Sequence, residues 1–184
     1  MVRTVIGGIV GGIVQWLVGF LFWGTPLAKL PFHVAPDAAN ADLQLALARD
    51  LTPTGSGTYH VPWPGTAQGT VLHGQGPVAL IHFNTGGFST MSTSALVAGL
   101  VLSILSILLI GVALLPIARR VPEFELRARA GLMIALAVSL YFTLGQPAYS
   151  PFLPWGYFVY LAIAQFVGLA AGVLVLARWF LPRA

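Results

Sequence analysis

Four long runs without charge constrain this chain more than any other feature. A helix rises about 1.5 Å per residue and a hydrocarbon core is roughly 30 Å thick, so about 20 apolar residues are enough to cross it. Residues 5–23, 94–117, 130–146 and 157–177 meet that requirement and contain no Asp, Glu, Lys, Arg or His. With 57% hydrophobic and only 8% charged residues, the chain is far from soluble-domain composition and is expected to be an integral membrane protein.

The segments between the runs set the orientation. Seven basic residues (Arg3, Arg119, Arg120, Arg127, Arg129, Arg178, Arg183) fall on one side of the expected spans and two (Lys29, Arg49) on the other. The positive-inside rule then puts both termini in the cytoplasm and residues 25–91 outside, in the periplasm if the cell is a Gram-negative bacterium. Arg127 and Arg129 are expected to snorkel at the cytoplasmic end of the third run. The net charge of +4 is spread over membrane flanks rather than gathered in a patch, which argues against nucleic acid as a partner. The Met1, Val2, Arg3 start resembles a signal-peptide n-region, but no small-residue cleavage site follows in WGTPLAKL, so the first run is expected to stay as an anchor.

The expected organisation is residues 1–24 as the first transmembrane helix and 25–91 as an extracytoplasmic domain. Residues 92–117 form the second helix and 118–129 a cytoplasmic loop with a helix start. The third helix is 130–146, an outer loop 147–156, and the fourth helix with its tail 157–184. The fold class is an all-α transmembrane four-helix bundle carrying a small α+β domain between the first two helices. In that domain Pro36 and Asp37 can start a soluble helix with Ala39, Leu43, Leu47 and Leu51 on one face, and LTPTGSG ends it. GTYHVPW and GPVALIHFN read as strands separated by a glycine-rich loop, with Pro62 and Pro64 confining the first to an edge. Ser92 and Thr93 are capping candidates for the second span.

GTYHVPWPG, GPVALIHFNTGGF and the small-residue second span, in this order, resemble a group of uncharacterised bacterial four-span inner-membrane proteins. The resemblance covers most of the chain. It implies the topology and a glycine- and proline-punctuated outer domain, and brings no activity, cofactor or ligand set with it.

All four histidines lie in the segment 25–91. If the strands pair antiparallel with Tyr59, Val61, Trp63 and Ala79, Ile81, Phe83 on one face, His60 and His82 share the other. His60, His82, His33 and His73, with Met91, are then the candidate ligands of a copper or zinc ion, since imidazole suits both metals. Their spacing matches no defined metal motif, so no tightly bound metal and no cofactor are expected. The absence of cysteine removes thiolate sites and redox pairs. Ser56, Ser89 and Ser92 lack a nucleophile elbow, and GQG and TGG are turn signals rather than phosphate loops. Spans free of ionisable groups disfavour a proton-coupled transporter and an intramembrane haem.

Small residues mark the helix contacts. Gly8, Gly12, Gln15 and Gly19 recur at spacings of four, three and four, widened by Gly7 and Gly11, and Gln165, Gly168 and Gly172 form a matching stripe on the fourth span. Such seams let backbones approach closely in lipid. The first and fourth spans are expected to pack through them with Gln15 and Gln165 within hydrogen-bonding reach. The absence of a catalytic set and the abundance of seams lead to the expected function, a non-enzymatic accessory or assembly subunit of a larger membrane complex. The alternative is a membrane protein binding a small ligand or metal through its outer domain, and a third is an enzyme acting at the outer interface.

Overall fold

The computed structural model describes residues 2–182. Helices α1 (Val2–Trp23), α2 (Asp37–Leu51) and α3 (Ala67–Gln75) precede α4 (Thr93–Ala118) and α5 (Phe124–Ser139). A π-helical turn at Leu140–Leu144 leads into α6 (Gly145–Tyr149), and α7 (Trp155–Val175) runs into a second π turn at Leu176–Phe180. Strands β1 (Gly57–Val61) and β2 (Ala79–Phe83) complete the order. Four helical stretches are long and apolar enough to cross a membrane: Val2–Trp23, Thr93–Ala118, Phe124–Tyr149 and Trp155–Phe180. The chain is a multi-pass membrane protein.

The third stretch starts where residues 118–129 were expected to hold a helix start, with Glu123 as its N-cap, and runs past its expected end. At its start Arg127 does not snorkel. It is 2% exposed, and its guanidinium donates from Nη1 to the Pro182 carbonyl at 2.8 Å and from Nε to the Glu123 carbonyl at 3.3 Å. Two carbonyl acceptors hold the charge inside protein, so the helix begins before the run of uncharged residues does. Arg129 is exposed. At the other end Pro147 was expected to belong to a loop, yet the helix passes through it. A proline ring collides with the carbonyl four residues earlier, here that of Thr143, and offers it no N–H. The π turn at Leu140–Leu144 widens the ladder at that place, and the Thr143 hydroxyl donates to the Ser139 carbonyl.

The chain divides into two compact units. The first comprises Met1–Phe32, Ser92–Tyr149 and Trp155–Ala184. Its core joins Ile107 and Leu114 of α4, Ala128 and Ala135 of α5, and Leu169, Val173 and Leu176 of the last helix. Helix α1 packs against both α4 and α7, and α5 packs against α7 and α4. Ser92 caps α4, its Oγ accepting from the Ala95 N–H at 3.3 Å. Near the other end of α1, the Tyr160 hydroxyl lies 2.9 Å from the Phe22 carbonyl and 3.0 Å from that of Leu27, two acceptors where the helix ladder runs out.

Helix α1 uses its glycines on two faces, not one. Gly8 and Gly12 meet Leu108 and Ile104 of α4, whereas Gly7 meets Phe180 and Leu176, Gln15 meets Gly168, and Gly11, between the two neighbours, meets both Gly172 and Ile107 of α4. Residues 7, 11 and 15 form one i, i+4 ridge, and 8 and 12 belong to the next, about 100° round the helix. The single stripe expected through Gly8, Gly12, Gln15 and Gly19 is thus split because α1 lies between two neighbours. A Cβ on Gly19 would meet nothing within 4 Å. The first and fourth spans do pack side by side, but the expected amide pair does not form: Gln15 Oε1 is buried without a hydrogen-bond partner, and no bond joins it to Gln165.

The second unit comprises His33–Met91 and Ser150–Pro154. Strands β1 and β2 pair antiparallel as a two-stranded sheet, with Tyr59 opposite Ile81 and Thr58 opposite His82. The stretch between them, expected to be loop, contains helix α3. Thr66 caps it by accepting from the Gly69 N–H at 3.0 Å, and Gly69 is where the helix backbone passes closest to the Trp63 carbonyl, leaving no room for a Cβ. Helix α2 spans Asp37–Leu51 as expected, and none of its residues is buried.

Candidate functional site

The sheet, α3 and the segment Ser150–Pro154 bring four rings together within the second unit. His60 comes from β1, Trp63 from just after it, His73 from α3 and Phe152 from the last segment. The His60 imidazole stacks on Phe152 with ring centroids 4.8 Å apart and planes 24° from parallel. His73 stands across both, 5.4 Å from His60 at an interplanar angle of 82° and 6.4 Å from Phe152 at 86°. Trp63 meets the edge of His60 at 6.4 Å.

This packing removes one nitrogen from solvent. His60 Nε2 is buried and has no hydrogen-bond partner, a condition that costs a buried polar group about 1–3 kcal/mol. The stacked ring is held in place without satisfying that atom. Such a position can accept a Lewis acid or a proton, or donate to the face of a neighbouring ring.

The remaining candidate ligands lie elsewhere. His82 shares a sheet face with His60 through the pairs Thr58–His82 and His60–Leu80, but its Nδ1 is hydrogen-bonded to Thr58 Oγ1 at 3.0 Å and its side chain is exposed. His33 and Met91 are exposed. Among the described residues no three His, Cys, Asp or Glu side chains gather in a group able to hold a metal ion. The sequence pairs His60 with His82 by strand alternation; the structure pairs it with His73 because the intervening chain is helical. The Thr66 cap before Ala67 was the available signal.

Polar groups within the apolar helices are few and mostly tied to backbone. Trp16 Nε1 donates to the Leu96 carbonyl at 3.2 Å, and Arg3 donates to the Trp179 carbonyl at 2.9 Å. Thr4 Oγ1, Gln15 Oε1 and Ser139 Oγ are buried without partners. The one ion pair among the described residues, Arg49 with Asp50 at 2.7 Å, is fully exposed on α2. The Arg49 guanidinium holds the Asp50 carboxyl below its ordinary range without forming a site.

In comparisons with known proteins the chain matches no family model, no curated protein and no solved structure.

Proposed function

We propose that the protein is a non-enzymatic accessory or assembly subunit of a larger complex in the bacterial inner membrane, with both termini cytoplasmic and the second unit outside. The observation that carries this reading is the state of that unit. Every fully buried apolar side chain among the described residues belongs to the first unit, and none lies within His33–Met91 or Ser150–Pro154. On α2, Leu43 is 59% and Leu45 69% exposed. Leu47 and Leu51 are only partly covered. Trp63, Val71, Phe88 and Met91 are also exposed.

Scattered exposed apolar residues are ordinary, but a whole unit without a buried apolar side chain lacks the main driving force for its own folding. A partner covering the α2 leucines supplies it. Contiguous exposed apolar surface marks interaction sites on soluble proteins for the same reason. Gly7, Gly8, Gly11 and Gly12 of α1 are occupied inside the first unit, which leaves Gly19 alone of that seam open, so we assign the docking surface to α2 rather than to the glycine stripe.

The test is site-specific photocrosslinking in native membranes, with the photoreactive residue placed at Leu43 or Leu47, which share one face of α2. One discrete heterologous polypeptide should be captured from both positions, and L43E/L47E should abolish co-purification of that polypeptide while leaving the isolated subunit folded. Crosslinking to lipid alone, or equal co-purification with L43E/L47E, would remove the reading.

A further inference from the structure

We propose that the end of the first unit where α4 gives way to α5 binds the headgroups of anionic phospholipids through Arg119, Arg120, Arg129 and Arg178. In the sequence these residues are spread over separate membrane flanks, but the fold gathers them at one end of the helices. Arg119 and Arg120 follow α4 directly, Arg129 stands in the second turn of α5, and Arg178 belongs to the π turn that ends the last helix. The Arg178 guanidinium is 5.4 Å from the centre of the Phe124 ring, which ties the last helix to the start of α5. Arg3, near the start of α1, donates to the Trp179 carbonyl at the same end.

The chain does not balance the charge collected there. Six arginines (Arg3, Arg119, Arg120, Arg127, Arg129, Arg178) stand against two glutamates, Glu123 and Glu125, and among the described residues no ion pair joins any of them. Arg3 and Arg127 are engaged by backbone carbonyls, whereas Arg119, Arg120, Arg129 and Arg178 are exposed. The spans decide what those exposed guanidiniums meet. Arginines flanking a membrane-crossing helix sit at the level of the lipid headgroups, and Trp179, 57% exposed beside Arg178, is a residue type that favours the same depth. A guanidinium matches a phosphate with two parallel N–H donors. Each arginine near an anionic surface adds roughly fivefold in affinity, about 1 kcal/mol. A phosphocholine headgroup carries the same phosphate, but its own cation cancels the charge, so the surface should discriminate by net charge.

The inference requires only that the spans cross a bilayer, and it is independent of the accessory-subunit reading because its test uses the purified full chain without any partner. The chain in neutral detergent is titrated with phosphatidylglycerol, with phosphatidylcholine or with inorganic phosphate, and bound lipid is counted by native mass spectrometry. Phosphatidylglycerol should bind about 25-fold more tightly than phosphatidylcholine or better, which corresponds to two arginines per headgroup at roughly fivefold each. R119Q/R120Q and R129Q/R178Q should each reduce that preference roughly fivefold or more, whereas R49Q, on α2 and already paired with Asp50, should leave it unchanged. R119Q/R120Q spares the Arg178 contact with Phe124 and carries the test if R129Q/R178Q fails to fold. Equal affinity for the two lipids overturns the proposal. So does a preference that survives both double variants, or displacement of bound phosphatidylglycerol by an equal concentration of inorganic phosphate, which would mark a site for a free anion instead.

Discussion

Replacing Gly12 by alanine tests the packing of α1 most directly, provided Gly19→Ala is measured beside it. A Cβ on Gly12 would lie 2.7 Å from the Ile104 backbone nitrogen, and closer still to the Ile104 Cα. Ordinary van der Waals contact begins near 3.4 Å, so α4 must retreat by at least 0.7 Å (3.4 − 2.7) at that turn. A radial gap of about 0.5–1 Å forfeits a quarter to a half of the dispersion between the atoms it separates, and overpacking of this kind costs about 1–3 kcal/mol. Because the clash is with backbone, trimming the Ile104 side chain gives no relief.

Alanine also gains up to about 1 kcal/mol of helix propensity over glycine, which would blur a single measurement. The same gain applies at Gly19, where nothing lies within 4 Å, so subtracting the two variants leaves the contact term. G19A should be neutral or slightly stabilising, and G12A less stable than G19A by about 2–3 kcal/mol, the upper part of the overpacking range. That is roughly a 30- to 140-fold difference in the unfolding equilibrium constant. Equilibrium unfolding in mixed micelles with increasing anionic detergent reads it, and I104A added to G12A should not restore stability. If G12A and G19A agree within about 0.5 kcal/mol, the close approach of α1 and α4 at Gly12 is wrong.

Three other measurements follow from particular contacts. R127A removes the donor to the Glu123 and Pro182 carbonyls, each bond to a charged group being worth about 1.5–3 kcal/mol, so it should lower stability in the same unfolding assay by about 2 kcal/mol or more; no loss would refute that anchoring role. Y160F keeps the ring contacts with Phe22 and Trp23 but loses the hydroxyl that faces two carbonyls, and should cost about 1 kcal/mol in the same unfolding assay; no cost would mean that those carbonyls are satisfied otherwise. The chain has no cysteine, so G74C and G87C, placed where a Cβ meets nothing within 4 Å, should react with an impermeant thiol reagent in cells permeable only at the outer membrane; labelling of R120C instead would reverse the orientation.

Length and absence of charge made the four spans legible, because a bilayer tests every residue of a run against the same solvent. What escaped the sequence was set by pairs of distant atoms. Arg127 reads as the end of an apolar run until the Pro182 carbonyl is beside it, and Pro147 reads as a loop residue until the π turn before it is seen. Glycine spacing announced close packing on α1, yet spacing cannot say how many neighbours a helix has. The registers 7, 11, 15 and 8, 12 separate only once α4 and α7 are both in place.

The candidate site failed to be legible for a local reason. Strand alternation correctly puts His60 and His82 on one face, but it says nothing about the 15 residues between Trp63 and Ala79, where α3 carries His73 back to His60. That helix has little apolar periodicity and contains two glycines, Gly69 and Gly74, so propensity alone argues against it. It is held instead by the Thr66 cap, by the Thr70 hydroxyl donating to the Pro64 carbonyl at 2.8 Å, and by Gly69 passing under the Trp63 carbonyl. Helix α2 shows the converse: its i, i+4 leucines are plain in the sequence, yet Leu43 is exposed and Leu47 and Leu51 are only half-buried, so the face they define is incompletely covered. A periodic apolar stripe records that a helix is meant to be buried, but not by which chain. In α2 the two statements separate, which is the physical basis for looking outside this polypeptide for the surface that completes it.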